Sequence, residues 1–202
     1  MKMCDVDINK VSPMMRHYIS VKKDYPDVII FYRLGDFYEI FFEDAVTTSR
    51  ELELTLTGRS AGLEERVPMC GVPHHAANLY VEKLVEKGYK VGICEQLEDA
   101  KNAKGIVERG LTGIITKGTI MNNESLVENE FNYIGNILDF NHCYTVCYTD
   151  ITTGVIYTSL INHNPSTLVS EIVSLGLKEV LVESSLDKSI TNNGSTFLNV
   201  TI

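Results

Sequence analysis

Residues 27 to 42 read DVIIFYRLGDFYEIFF, two runs rich in β-branched and aromatic residues with Gly35-Asp36 between them. Such a pattern predicts a β-hairpin whose two-residue loop wants glycine at its first position. A second reading makes Asp36 an N-cap and Glu39 the third helical residue of a capping box, which would give Glu39 a purely structural role. The two readings predict opposite geometry. In a helix, residues two apart diverge by about 200°, so Phe37 and Glu39 would face away from each other. In a strand they share a face and Tyr38 takes the other. The pattern leans to the hairpin while leaving the helix open.

Around this segment the chain alternates strand-like and helix-like stretches. Ser12 reads as an N-cap with Pro13 at the first helical position, and Met15, Tyr18 and Ile19 follow at helical spacing until Pro26. FFEDAVTTSRELEL predicts a helix with Phe42, Ala45, Val46 and Ser49 on one side, running into a strand near ELTLTGR. RSAGLEERVP reads as a loop and VPMCGV as a short strand. PHHAANLYVEKLVEKG predicts a helix with Leu79, Tyr80 and Leu84 on one face, stopped at Gly88. YKVGICEQL reads as a strand, EDAKNAKGIVERG as a loop carrying Lys101, Lys104 and Arg109, and LTGIITKGT as a closing strand. The fold class expected is α/β, a mixed sheet flanked by helices over 1–118.

The apolar period lapses in TIMNNESLVENE, which marks a linker over 119–130. Beyond it, over 131–202, NYIGNILDF and CYTVCYTDITTGVIYTSLI read as antiparallel strands turning at Thr152-Thr153-Gly154. A helix in STLVSEIVSLGL and a strand in KEVLVES follow. The order βββαβ opens an α/β layer.

Charge is unevenly placed. The net of -9 divides into -2 over residues 1–118, with 16 Lys/Arg against 18 Asp/Glu, and -7 over the rest, with 2 against 9. Any contact with a polyanion therefore belongs to the first segment. Five cysteines at 4, 70, 94, 143 and 147 form no C-x-x-C pair, which favours reduced thiols over a disulfide framework or zinc site. No run of eighteen apolar residues and no apolar leader occurs, so the expectation is a cytoplasmic protein without a membrane span. A G-x-x-x-x-G-K-[ST] loop is absent from the 202 residues, so ATP hydrolysis by that route is not expected of this chain.

Taken in order, SPMMRHY, FYRLGDFYEIFFEDA, LTLTGR, VPMCGVPHHAANLYVEKLVEKGYKVGICEQLEDAKNAKGIVER and TKGT resemble the N-terminal mismatch-recognition domain of the MutS family of DNA mismatch-repair proteins. The resemblance covers about residues 10 to 120. It implies that Phe37 enters the minor groove of a kinked duplex and stacks on a mispaired base, that Glu39 hydrogen-bonds to that base, and that Tyr38 packs inward. It further implies DNA contacts from Leu34, Asp36, Thr57, Arg59, Met69, Lys104 and Arg109, with Lys101 on the adjoining loop. Mismatched duplex DNA would be the partner. A MutS-type dimer, a MutL-type repair partner, ATP and Mg²⁺ would concern only the full-length protein.

Three features depart from the family pattern. Gly110 and Gly113 stand where further basic residues are usual, and Lys117 replaces the proline of TPGT. His74 stands where an aromatic is common and reads as a packed or capping histidine; with His75 it is not expected to hold a metal. Residues 127 to 202 resemble, less sharply, the family's ribonuclease-H-like connector domain, here in part, which favours a piece of a longer protein over a naturally short relative. Two rival functions follow: a metal-dependent nuclease of that fold around Asp150, with Asp139, Glu171 and Glu183 as further carboxylates, or a degenerate relative serving as a protein-interaction module.

Overall fold

The computed structural model describes residues 2–98, 107–119, 131–182 and 186. It falls into two compact units, Met1–Ile115 and Thr116–Ile202.

In the first unit, helix α1 (Pro13–Asp24) starts where the sequence reading puts it: the Ser12 hydroxyl accepts from the Met15 N–H at 3.4 Å, and Pro13 occupies the first turn. Strands β1 (Val28–Leu34) and β2 (Phe37–Phe41) form the hairpin, pairing Leu34 with Phe37, Arg33 with Tyr38 and Tyr32 with Glu39. Gly35 sits at φ +61°, and Asp36 is not among the described non-glycine residues with positive φ. That combination is a type II′ loop, in which only the first position requires the glycine. The capping-box reading of Asp36 and Glu39 is thereby overturned: the twist of the paired strands wins over the local capping signal.

Helix α2 (Phe42–Glu51), β3 (Thr57–Arg59), β4 (Val67–Pro73), helix α3 (Ala77–Glu86), β5 (Lys90–Gln96) and β6 (Arg109–Ile115) complete the unit. The six strands lie in the order β3-β4-β2-β1-β5-β6. Only β1 and β5 run parallel, so the sheet is mixed. Cross-strand partners share a face. Tyr32 and Phe41 therefore join the side on which Met15, Tyr18 and Ile19 of α1 pack. The Cys70 thiol lies on the opposite side with Ile40 and reaches the Ala45 carbonyl of α2. Burying each of these large side chains is worth about 1.5–3 kcal/mol.

Two helix faces differ from the sequence reading. On α3 the buried stripe is Ala77, Val81, Leu84 and Val85, while Leu79 is 58% exposed. Leu79 and Leu84 are five residues apart, about 140° around the helix, so one face cannot hold both. On α2 the buried residues are Phe42, Ala45 and Thr48, and Val46, about 100° from Ala45, points outward. Strand β3 is confined to Thr57–Arg59, and Arg109 opens strand β6 opposite Gln96 instead of lying in the loop. Lys101 and Lys104 lie outside the described residues.

The second unit carries β7 (Tyr133–Asp139), β8 (Cys143–Asp150), β9 (Ile156–Asn162), α4 (Pro165–Leu175) and β10 (Glu179–Val182), the expected βββαβ order. Its sheet runs β10-β7-β8-β9, with β10 parallel to β7. The Asn164 side chain caps α4, and Leu168, Val169 and Ile172 pack with Ile137, Tyr144, Val146 and Ile161. The compact division falls after Ile115, earlier than the expected 118/119 boundary. Thr116 to Thr119 form a turn held within the second unit: the buried Glu179 carboxylate accepts from the Thr116 hydroxyl and from the Gly118 N–H, and Asn132 Nδ2 donates to the Gly118 carbonyl at 3.1 Å. The expected linker from 120 to 130 lies outside the described residues.

Candidate functional site

The hairpin sorts its side chains by strand parity. Phe37 is 48% exposed, whereas Tyr38, the next residue, is 5% exposed. The Tyr38 hydroxyl donates to the Glu95 carboxylate on β5. Its ring centre lies 5.6 Å from that of His74 and 6.1 Å from that of Phe31, with the Arg33 guanidinium 5.5 Å away. Burial, then the Glu95 carboxylate, push the Tyr38 phenol well above its usual range, so it stays a neutral donor. Arg33 also donates to the Gly35 carbonyl and lies 3.7 Å from Glu95, while the His74 N–H donates to the Asp36 carbonyl at 2.8 Å. Buried Tyr38, half-buried Arg33 and the backbone of His74 thus hold the loop from below. His74 is exposed, with its ring tilted against that of Tyr38, rather than packed as its sequence position suggests.

Phe37 borders a shallow cleft of about 410 Å³ lined by Asp36, Pro73, His74 and His75. Two residues on, Glu39 stands on the same face. Its side chain is 15% exposed, and both of its carboxylate oxygens accept from Nη1 of Arg59 on β3. Glu39 pairs in register with Gly71, and Phe41 with Met69; Met69 in turn pairs with Thr57. Leu34, Phe37, Glu39, Thr57, Arg59 and Met69 therefore share one face. Thr57 and Asp36 are exposed, and Leu34 and Met69 are half-buried against the core below.

Arg109 reaches the same face from the far side of β1. Its guanidinium lies over the Tyr32 ring, Nε donates to the Arg33 carbonyl and Nη1 to the Val107 carbonyl, both at 2.8 Å. The Tyr32 hydroxyl bonds His17 Nδ1 at 2.8 Å. Burial raises the Tyr32 phenol to about 12; burial first and the Arg109 charge second lower His17, favouring the neutral imidazole. Of the residues that the resemblance implies for DNA contact, Leu34, Asp36, Phe37, Glu39, Thr57, Arg59, Met69 and Arg109 lie in this sheet and its hairpin loop, while Lys101 and Lys104 lie outside the described residues. Sequence reasoning missed His17, Tyr32, Arg33 and Glu95. Tyr32 alternates with Leu34 and was within reach of a parity argument, but Glu95 joins the site only through the parallel pairing of β1 with β5.

Asp150 and Asp139 of the second unit are each engaged locally. Asp150 accepts from the Thr152 N–H at 2.8 Å and its hydroxyl at 2.6 Å, closing the turn to β9. Asp139 accepts from the Asn141 N–H at 2.7 Å and pairs with His163 at 2.9 Å. Asp139 lies opposite Tyr144, six residues along β8 from Asp150, which separates the two by about 20 Å. Paired catalytic metals sit about 4 Å apart and need converging ligands. Among the described residues no group of three or more His, Cys, Asp or Glu is gathered to hold a metal ion, and Glu183 lies outside them.

Residues 12–124 match the family described as MutS domain I. The chain is 50% identical over 183 residues to the DNA mismatch repair protein MutS of Clostridium beijerinckii, covering 91% of this chain and 20% of that protein. It is 48% identical over 192 residues to the protein of the same name from Clostridium botulinum, covering 95% and 20%. The Bacillus mycoides protein of that name is 45% identical over 196 residues, covering 96% and 22%. The chain thus spans about a fifth of the length of these relatives. With more than half of its residues matched by the family and this identity running along nearly its whole length, the chain belongs to the MutS family and carries its domain I.

Proposed function

We propose that this chain senses mispaired or unpaired bases in double-stranded DNA, with the β1–β2 hairpin as the probe. The observation that carries the reading is the contrast at the hairpin tip: Phe37 stands open on the face it shares with Glu39, while Tyr38 is anchored beneath. An exposed ring on a rigid support suits insertion between base pairs. Unstacking one step costs a few kcal/mol, and the resulting bend brings more protein onto the backbone. Faulty pairs are already poorly stacked, so the deformation costs less there and the selectivity lies in deformability. An aromatic face stacks on any base, at about 1–3 kcal/mol by analogy with single-strand binders, which suits a sensor of many different mispairs.

Glu39 would accept a hydrogen bond from the stacked base. Leu34, Asp36, Thr57 and Met69 would border the groove, with Arg59, Lys104 and Arg109 on its charged side. Phosphate contacts would add affinity without sequence information. Residues 131–202 would be part of a ribonuclease-H-like connector, and the chain a binding module of a longer cytoplasmic protein that dimerises and meets a MutL-type partner. ATP and Mg²⁺ would act elsewhere in that protein, since these 202 residues hold no G-x-x-x-x-G-K-[ST] string. Competition binding with full-length protein tests the reading. Phe37→Ala should abolish the preference for a G·T or unpaired-base duplex over a matched one; an unchanged preference overturns it.

A further inference from the structure

Glu39 presents a puzzle of sign, because an anionic side chain beside a polyanion is repelled. The structure answers it with a neighbour from another strand. Arg59 stands on β3, separated from β2 by β4 in the sheet. Glu39 pairs with Gly71 on β4 and Arg59 with Val67, so the two stand at different levels along β4, and the guanidinium reaches obliquely across it to the carboxylate. One nitrogen, Nη1, serves both oxygens. Glu39 is mostly covered at 15% side-chain exposure, whereas Arg59 keeps 35%.

We infer that Arg59 is the positioning residue for Glu39: it fixes the carboxylate beside Phe37 and cancels its charge toward the duplex, leaving acceptor sites open to a base edge. This deepens the hairpin reading and rests on it. A carboxylate offers about four lone-pair sites, of which the arginine takes one on each oxygen. Glu39 can therefore accept from a base without giving up its partner. Because the bonds come from a single nitrogen rather than a two-nitrogen fork, a lysine ammonium meets the same geometric demand.

A double-mutant cycle in the full-length protein separates this role from an independent phosphate contact. The readout is the ratio of affinities for mispaired and matched duplex, measured against salt. Arg59→Gln should lower that ratio several-fold in the wild-type background and by less than about twofold in Glu39→Gln, and Arg59→Lys should recover most of the loss. An arginine that merely neutralised a phosphate would weaken both duplexes alike in both backgrounds and reduce the salt slope by about 0.9. That outcome overturns the inference, as does failure of the lysine rescue in a protein whose thermal unfolding is unaltered. If Glu39→Gln changes the ratio and Arg59→Gln does not, the positioning role fails while the hairpin reading stands. If neither Phe37→Ala nor Glu39→Gln changes it, both fail.

Discussion

The Arg109 guanidinium carbon lies 5.4 Å from the centre of the Tyr32 ring. The contact joins the first residue of β6 to β1 across β5, and the same arginine ties down the carbonyls of Arg33 and Val107. Two of its five donors are spent on backbone, one of them at the foot of the hairpin, so it braces the hairpin as well as facing solvent.

Arg109→Lys keeps the charge but loses the planar fork, and should destabilise the chain by about 1–2 kcal/mol in urea unfolding. The neighbouring His17 reports on the same cluster. Its folded pKa is lowered, so its contribution to stability is fully present above about pH 6.5 and is lost as the pH falls through the folded value. Removing the Arg109 charge with Arg109→Gln should move the His17 titration upward in an NMR experiment. A titration that stays put contradicts the proposed coupling.

In the second unit Gly118 fills a space that admits no side chain. A Cβ there would lie 2.5 Å from Ile134 Cγ1 and 2.9 Å from Glu179 Cβ. Gly118→Ala should cost about 1–3 kcal/mol through overpacking, read as a lowered unfolding midpoint. Gly113, around which a Cβ meets nothing within 4 Å, provides the control: Gly113→Ala should be far milder.

Asp150 is a turn residue by its bonds. Its carboxyl is held below the usual range, first by the Thr152 hydroxyl and then by the Thr152 N–H. Its stabilising contribution is therefore present above a pH of about 4 and is lost as acid protonates the group. Asp150→Asn should flatten that acid-side loss of stability. Magnesium-dependent cleavage of duplex or hybrid substrates by the wild type, abolished in Asp150→Asn, would revive the nuclease alternative.

Local chemistry made the hairpin legible. Gly35-Asp36 between two strand-like runs specified the loop, and the period of two placed Phe37 and Glu39 together with Tyr38 opposite. Partnerships set by strand order were not legible. Arg59 reads as one more surface cation until β3 and β2 are seen to flank β4, across which its guanidinium meets Glu39. Arg109 reads as a loop residue until its pairing with Gln96 makes it the start of β6. The face of α3 differs from the sequence reading because the packed stripe follows angle around the helix, which puts Ala77, Val81, Leu84 and Val85 inside and Leu79 outside.

The proposed stacking of Phe37 on a faulty base pair is tested most directly by photocross-linking full-length protein to a duplex carrying 5-iodouracil at the mispair. A cross-link mapped to Phe37, present with the mispaired duplex and lost with a matched one, is the result predicted. Cross-linking that maps elsewhere on the chain, or that proceeds equally from matched DNA, contradicts it.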